Sequence, residues 1–256
     1  TPKYKLQLNG KFAYDYTHYL SRDTVQFLQE NVTKKMQFDN TYYQQDWYLS
    51  AVNMYSILPV WDVSLSVDFQ YNKLNAVMRG VGTPFTFPQR YTTWAALATA
   101  LNLGKWKLQA DVLGTFVIEK VRNNVEAPDK SEFSPALIVG YKPFSNQDLN
   151  LRAFYKRIFR LPTFNDLYYA QIGFSQLNPE FTNQFNIGGS YQKTFKTGMI
   201  DRIALQMDVY YAAITDKIIA APTGSSFRWM MTNMGKVESK GVDVSTAVSG
   251  HVGLLK

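Results

Sequence analysis

Residues 61–72 read Trp-Asp-Val-Ser-Leu-Ser-Val-Asp-Phe-Gln-Tyr-Asn, an unbroken alternation of apolar and polar side chains. A period of two places the apolar side chains on one face of a β-strand and the polar ones on the other. The stretch is about twice as long as a usual globular strand and is close to what a tilted strand needs to cross a bilayer. Its apolar face is aromatic at both ends, at Trp61 and Tyr71, as expected where rings lie at two membrane–water interfaces.

The same alternation recurs along the whole chain. A soluble sheet with one face on a core would explain any single segment, but soluble strands rarely stay this long. The pattern therefore favours an all-β fold, an antiparallel up-and-down transmembrane β-barrel. The ten predicted strands are 3–16, 41–57, 60–77, 91–102, 105–120, 132–143, 148–158, 183–195, 201–214 and 228–248.

The predicted connections are of two kinds that alternate along the chain. The short ones contain the turn residues Pro, Gly, Ser and Asn. A sheet with short turns at one end and long loops at the other is typical of outer-membrane barrels, which have short periplasmic turns and long extracellular loops. In the segment 20–40, which mixes charged and apolar residues, we expect a helical turn. The long predicted loops are 17–40, 78–90, 121–131, 159–182 and 215–227.

Composition narrows the class of protein further. Of the 256 residues, 46% are hydrophobic, but no stretch approaches the eighteen uninterrupted apolar residues of a transmembrane helix. Aromatic residues reach 15%, which suits rings at two membrane interfaces. The chain has no cysteine, which excludes disulfides, thiolate metal sites and cysteine catalysis. The net charge of +7 is scattered along the chain, so we expect no nucleic-acid partner.

Enzyme chemistry has little support in the sequence. The two histidines, His18 and His251, lie far apart and not at zinc-ligand spacing. No Gly-x-Ser-x-Gly elbow, phosphate-binding loop or dinucleotide fingerprint is present. Acidic pairs such as Asp62 and Asp68 lie on the polar face of a strand, where a wet lumen explains them. We expect no enzyme activity, no cofactor and no metal, although a Ser–His–Asp set gathered from distant segments stays open.

Four short motifs occur in a fixed order in the second half of the chain. Residues 159–169 read Phe-Arg-Leu-Pro-Thr-Phe-Asn-Asp-Leu-Tyr-Tyr, and 177–180 read Leu-Asn-Pro-Glu; later come Asn-Met-Gly at 233–235 and Lys-Gly-Val-Asp at 240–243. Together they resemble the barrel domain of TonB-dependent outer-membrane receptors. Asp243 and Gln184 depart mildly from the family, where Glu is commoner at both positions. The residues that fill the family pattern are Arg160, Pro162, Asp166, Leu167, Tyr168, Asn178, Pro179, Glu180, Asn233, Gly235 and Gly241.

We interpret these motif residues as structural. Pro162 cannot donate to a β-ladder, so it suits the point where a strand gives way to a loop. Arg160 can fork onto a carboxylate such as Asp166 or Glu180 and fix the base of that loop. The strand glycines, Gly235 and Gly241, indicate a bulge or the close approach of another backbone.

The resemblance implies an integral protein of the bacterial outer membrane, with a barrel of about twenty-two strands and a plugged lumen. Residues 1–256 would then be an internal fragment of about ten strands within a single barrel domain, without the plug and the closing strands. The implied function is active import of a scarce, bulky nutrient such as a ferric siderophore, haem, cobalamin or an oligosaccharide. The implied partners are the TonB complex, acting through the plug, the small-molecule or metal-chelate nutrient, and outer-membrane lipid.

Aromatic side chains in the long loops are the candidates for contacting that nutrient, because binding function usually lies in loops on a rigid scaffold. A role in packing the loops together explains these aromatics equally well. Two other functions stay open: a passive porin-like channel or barrel adhesin, and a soluble antiparallel β-protein. The candidate substrate-binding residues are Phe85, Phe87, Tyr169, Phe174 and Phe227.

Overall fold

The computed structural model describes residues 3–27, 32–79, 85–169, 173–196, 198–222 and 229–251. These residues form ten antiparallel strands, each paired with the next along the chain, so that sheet order follows sequence order. The predicted up-and-down meander is thereby confirmed. The strands are β1 (Tyr4–Phe27), β2 (Val32–Leu58), β3 (Trp61–Arg79), β4 (Gln89–Leu103), β5 (Trp106–Lys120), β6 (Lys130–Tyr141), β7 (Asp148–Arg160), β8 (Glu180–Thr194), β9 (Ile200–Pro222) and β10 (Trp229–Gly250), and the helix α1 (Phe164–Tyr168) lies between β7 and β8.

The sheet is open in the described part of the chain. β1 pairs only with β2, and β10 only with β9. The described sheet therefore has two free edges and is not a closed ten-stranded barrel.

The two faces of the sheet have the reverse of the burial expected for a soluble protein. On the apolar face, Leu65 and Val67 are 49% and 46% exposed. On the opposite, polar face, Thr92, Glu119 and Asp208 are buried. Cross-strand partners share a face, and the apolar face continues from Leu65 through its neighbours on β4 and β5. Such inside-out burial is what a strand needs when its apolar side meets lipid.

The hairpin of β1 and β2 corrects the prediction of a long loop at 17–40. The two strands stay paired as far as Phe27 opposite Val32, and residues 28–31 lie outside the described residues. The helical turn expected within 20–40 is wrong for residues 20–27 and 32–40, which are strand. β1 has 24 residues, about 80 Å at 3.3 Å per residue, whereas the apolar band of a barrel is about 25 Å tall. Much of the hairpin therefore extends beyond the band, where no contact with lipid requires apolar side chains to alternate with polar ones.

A second correction concerns the predicted loop 215–227. β9 continues to Pro222, eight residues past the predicted end of that strand at 214, and pairs with β10 up to Trp229. The backbone at Asp216 has a positive φ of 54°, which interrupts the regular alternation of side chains between the two faces of the strand. The ladder resumes beyond it with Lys217 opposite Met234.

The connections collect at two ends of the sheet. At the loop end, residues 80–88, 121–129 and 161–179 join consecutive strands, close to the predicted loops 78–90, 121–131 and 159–182. At the turn end, the connections are shorter, and Gly104 and Gly198 have positive φ angles of 62° and 108°. Glycine reaches that region without steric cost.

A small hydrophobic core lies at the loop end, beneath the segment 161–179. Its buried members come from the 121–129 connection, α1, the 161–179 connection and β9. They are Ala127, Leu167, Tyr168, Leu177 and Ile218, with Val121, Phe164 and Met231 packed against them.

No helix among the described residues is long and apolar enough to cross a membrane.

Candidate functional site

The helix α1 begins directly after β7 because the local sequence caps it. Pro162 is buried where the strand ends. The Thr163 hydroxyl accepts a hydrogen bond from the Asp166 backbone N–H at 3.2 Å, and the Asp166 carboxylate accepts one from the Thr163 N–H at 2.9 Å. This reciprocal capping box satisfies two backbone donors that the helix start would otherwise leave unpaired.

Ion pairs fix both ends of the 161–179 connection at one point. Arg160 Nη1 lies 2.9 Å from Glu180 Oε1, and Arg160 Nη2 lies 3.7 Å from Asp166 Oδ2. Glu180 is only 4% exposed. Its Oε1 also accepts a hydrogen bond from the Ile218 backbone N–H at 2.7 Å, and Lys217 Nζ lies 3.4 Å away. Glu180 thus joins the last residue of β7 to β9.

Asn233 connects the same segment to β10. Its amide oxygen accepts a hydrogen bond from Asn178 N–H at 2.8 Å, and its amide nitrogen donates to the carbonyls of Asn178 at 2.9 Å and Asp216 at 2.7 Å. The buried Pro179 follows Asn178. One side chain therefore holds the 161–179 connection and the irregular backbone at Asp216 together.

The two strand glycines of the motif differ in their surroundings. A Cβ at Gly241 would lie 2.5 Å from the Tyr210 hydroxyl, so the aromatic side chain covers this glycine, rather than another backbone as expected. Gly235 has no atom within 4 Å of an ideal Cβ position among the described residues. Tyr210 is an aromatic residue among the polar side chains on this face of β9, and it lies directly opposite Gly241 in the ladder.

A second attachment comes from β4 and was not identified from sequence. The Arg90 guanidinium contacts Glu119 of β5 with Nε 2.5 Å from Oε1, and its Nη2 donates to the Pro162 carbonyl at 2.8 Å. The same guanidinium lies 5.0 Å from the ring centroid of Phe164. Arg90 thereby joins the β4–β5 pair to the beginning of α1.

Tyr168 is the aromatic centre of the loop-end core. It is 7% exposed, and its hydroxyl oxygen accepts a hydrogen bond from the Ala127 backbone N–H at 3.1 Å. Burial raises the pKa of Tyr168 from 10.0 to about 12. The hydroxyl therefore stays protonated at physiological pH and acts as a structural acceptor.

Aromatic rings gather on the polar face at the loop end. Tyr42 and Phe85 pack edge to face with ring centroids 6.3 Å apart, and Phe85 packs in the same way on Phe87 at 5.2 Å. The Arg122 guanidinium lies 4.6 Å from the Phe87 ring centroid. We call this set the loop-end aromatic surface; its members are Tyr42, Phe85, Phe87, Phe164, Tyr168 and Tyr169.

A small cavity lies within that surface. Its volume is about 10 Å³, room for about one water molecule. Phe85 and Tyr169 both line it, so the structure brings two of the sequence candidates together from different loops. The other lining residues are Tyr42, Leu74, Met78, Phe164, Asn165 and Tyr168.

The remaining sequence candidates have different positions. Phe87 contacts Phe85 but does not line the cavity. Phe174 is 41% exposed and lies apart from the cavity lining, with its backbone N–H donating to the Asp166 carbonyl at 2.9 Å. Phe227 lies outside the described residues.

The site consists of aromatic rings held by a frame of charged side chains. Among the described residues, no group of three or more His, Cys, Asp or Glu side chains is placed to hold a metal ion. The charged groups of the frame are paired with each other. Of the rings, Tyr169 is exposed, Tyr168 is buried, and the others are half-buried: Tyr42, Phe85, Phe87 and Phe164. Such rings bury large rigid surfaces at small entropic cost.

Comparisons with known proteins agree with this architecture. The family model described as TonB dependent receptor-like, beta-barrel, matches residues 2–254. The chain belongs to the TonB-dependent receptor β-barrel family. It is an integral protein of the bacterial outer membrane, as the barrels of this family are. The apolar face of the sheet is accordingly the face that meets lipid.

Individual relatives match over smaller or more divergent regions. The vitamin B12 transporter BtuB of Vibrio vulnificus is 29% identical over 86 residues, which is 34% of this chain and 13% of BtuB. Among solved structures, the copper transporter OprC superposes with a TM-score of 0.68 at 12% identity, over 93% of this chain and 40% of OprC. The alcaligin receptor FauA from Bordetella pertussis superposes with a TM-score of 0.57 at 14% identity, over 95% of this chain and 40% of FauA.

At these identities the solved structures show the fold. The FrpB iron transporter from Neisseria meningitidis gives a TM-score of 0.59 at 12% identity, over 94% of this chain. The chain spans about two fifths of each of these structures and about an eighth of BtuB. The matched relatives are transport receptors.

Proposed function

We propose that this chain forms part of an outer-membrane receptor that imports a scarce, bulky nutrient with energy from the TonB system. The observation that carries the proposal is the loop-end aromatic surface, which lies on the polar face of a TonB-dependent receptor barrel. Rings from β2 and from two different loops converge there. An incoming nutrient meets this end of the barrel before it enters the lumen.

Residues 1–256 belong, in this proposal, to a single larger barrel domain. The free edges of β1 and β10 expose backbone N–H and C=O groups. Such groups need partners inside a bilayer, because no water is available there to bond them. Further strands of the same barrel supply those partners, and a plug inside the barrel carries the contact with TonB.

The family-motif residues serve as the frame of the site. Arg160, Glu180 and Asn233 tie the 161–179 connection to β9 and β10, and Arg90 ties it to β4 and β5. A loop fixed at several points holds Tyr169 in a constant position relative to Phe85. Fixed aromatic groups lose little entropy on binding, which favours affinity.

The nutrient class follows from the chemistry of the surface. Aromatic side chains recognise ligands that offer flat or apolar area, and buried aromatic anchors dominate many interfaces. Ferric siderophores, haem, cobalamin and oligosaccharides all present such area. BtuB, OprC and FauA are named for vitamin B12, copper and alcaligin, so the family fold itself does not select among these.

The test is alanine substitution in the complete receptor that contains this chain. Phe85→Ala, Phe87→Ala and Tyr169→Ala, combined, should lower uptake at least tenfold from a panel of radiolabelled cobalamin, haem and ferric siderophores, with an unchanged receptor level in the membrane. Phe133→Ala is the matched control, because this exposed ring lies on the apolar face. Unchanged uptake in the triple variant would show that these rings serve only to pack the loops.

Energy coupling is tested separately. Uptake through the receptor should disappear in a strain that lacks TonB, because the plug opens only when it is pulled. Uptake that persists without TonB would instead support a passive channel.

A further inference from the structure

A groove of about 700 Å³ lies on the lipid-facing side of β1–β4. Its walls are aromatic: Phe12 packs on Trp47 with ring centroids 4.4 Å apart, and Tyr71 packs on Tyr91 at 4.9 Å. Gly10 leaves its floor open, since an ideal Cβ there would make only ordinary contacts, with Leu49 Cδ2 at 3.5 Å and the Tyr48 carbonyl oxygen at 3.8 Å. The groove is open to the membrane and has the apolar lining that an acyl chain requires.

Polar donors border this groove on the side of the loop end. In the next row of the sheet, Lys73 pairs with Gln89, and Gln89 pairs with Lys120. Residues two apart on a strand share a face, so Lys73 shares the face of Tyr71, and Gln89 shares that of Tyr91. Adjacent strands are about 4.8 Å apart, which places the two lysine Cα atoms about 10 Å from each other.

Hydrogen bonding orients the middle member of this row. The Gln89 amide oxygen accepts from the Tyr71 hydroxyl at 3.2 Å and from the Tyr91 hydroxyl at 3.4 Å. Both bonds use the oxygen, which leaves the amide nitrogen as a donor beside the two ammonium groups. The row therefore offers donors and positive charge above an apolar groove.

The described residues do not neutralise the charge of this row. Neither Lys73 nor Lys120 forms an ion pair with a carboxylate in the described part of the chain. On this face of β2, Asp39 lies further toward the loop end and already contacts His18 and Arg79. Glu119, next to Lys120 in sequence, points to the opposite face and pairs with Arg90.

We propose that this site binds a phosphorylated, acylated lipid of the outer leaflet, of which lipid A is the representative. An acyl chain occupies the aromatic groove, and the phosphate is held by Lys73, Gln89 and Lys120. The position fits this occupant, because the row lies at the boundary between the lipid-facing aromatic rings and the loop end. The apolar groove and the cationic rim together select an amphipathic anion over a neutral lipid or a free anion.

The test titrates lipid A onto the complete, delipidated receptor in detergent and counts bound lipid by native mass spectrometry, with phosphatidylcholine as the neutral comparison. Each lysine near an anionic lipid contributes about a fivefold factor, so K73Q/K120Q should weaken lipid A binding about thirtyfold. The matched control is K130Q/K156Q, which removes two lysines of the polar face. Gly10→Leu fills the groove and should weaken binding of both lipids.

Three results would overturn the proposal: equal lipid A binding by the wild type and K73Q/K120Q, equal weakening in K130Q/K156Q, or displacement of lipid A by inorganic phosphate alone. A receptor dimer that Gly10→Leu disrupts would assign the groove to a second copy instead. The proposal of a lipid site depends on the proposed function in one respect only: the experiment uses the complete receptor. Lipid binding is measured without nutrient, so its failure would leave the uptake result standing, and loss of the uptake proposal would leave lipid binding standing.

Discussion

Arg152 of β7 reaches across β8 to Asp208 of β9, with Nη2 2.5 Å from Oδ2 and Nε 3.1 Å from Oδ1. Gly188 lies between them in the sheet, paired with Arg152 on one side and Asp208 on the other. A Cβ at Gly188 would overlap the Asp208 carboxylate and would lie 2.8 Å from the Met207 carbonyl oxygen. The absent side chain makes room for a fork-like ion pair that spans three strands of the polar face.

Gly188→Ala should therefore destabilise the barrel by about 1–3 kcal/mol, because the added methyl group displaces the carboxylate from its charged hydrogen bonds. Denaturant unfolding of the complete receptor in detergent measures the difference. Gly140→Ala is the matched control on the same face, since its Cβ would meet Lys107 Cβ at an ordinary 3.5 Å. If Gly188→Ala lowers the free energy of unfolding no more than Gly140→Ala does, the missing side chain at Gly188 is not needed for the ion pair.

The two faces of β3 predict where charge is tolerated. Leu65→Arg should cost about 2–4 kcal/mol, because it places a cation on the lipid-facing side near mid-depth. Ser66→Arg, one residue along on the polar face, should cost much less. Unfolding in liposomes compares the two variants, and equal penalties would count against the assignment of the faces.

Tyr168 predicts a dependence of stability on alkaline pH. The folded state holds the phenol proton more tightly than the unfolded chain, because burial raises the pKa from 10.0 to about 12. The associated stability is fully present below pH 10 and is lost as the pH rises from about 10 to about 12. The thermal unfolding temperature should fall more steeply across this pH range in the wild type than in Tyr168→Phe, because the phenylalanine has no phenol proton to lose.

The exposed neighbour Tyr169 supplies the control for that experiment. Tyr169→Phe removes an exposed hydroxyl from the adjacent position and controls for the loss of a phenol at this end of the sheet. Parallel slopes for the wild type and Tyr168→Phe would mean that the buried phenol does not contribute to the pH dependence.

Glu180→Ala tests the attachment of the 161–179 connection. The change leaves the buried Ile218 N–H without its acceptor and removes the partner of Arg160. We expect local opening of this segment to become easier by about 1–3 kcal/mol, with hydrogen exchange at Ile218 faster by about fivefold to 150-fold. Glu126→Ala, at an exposed position, should leave the exchange rate unchanged, and protection that survives Glu180→Ala would refute the role of the ion pairs.

The sequence predicted the strands best where lipid acts on one face. Alternation around Leu65 located β3 to within a few residues, because the bilayer requires apolar side chains there. The same criterion failed at 17–40, since beyond the membrane no lipid requires apolar side chains on one face and only backbone pairing reveals the strand. It also failed near Asp216, whose positive φ breaks the alternation.

The candidate site was predicted in part. The motif around Arg160 and Glu180 predicted how the base of the loop is fixed, because an arginine at a strand end can form a forked ion pair with a nearby carboxylate. Arg90 lies 72 residues from its acceptor Pro162, and no local pattern connects the two. The Gly188-Gly189 pair inside an alternating strand was a signal for a close approach, and it would have pointed to the Arg152–Asp208 contact.

The orientation of the barrel in the membrane is the most decisive measurement, because the proposed binding surface must face the cell exterior. The chain has no cysteine, so single substitutions can be labelled cleanly with a membrane-impermeant maleimide. Glu126→Cys, at the loop end, should label on intact cells, whereas Ser145→Cys, in the 142–147 turn, should label only after the outer membrane is permeabilised. Labelling of Ser145→Cys on intact cells, with Glu126→Cys protected, would invert the barrel and contradict the proposed function.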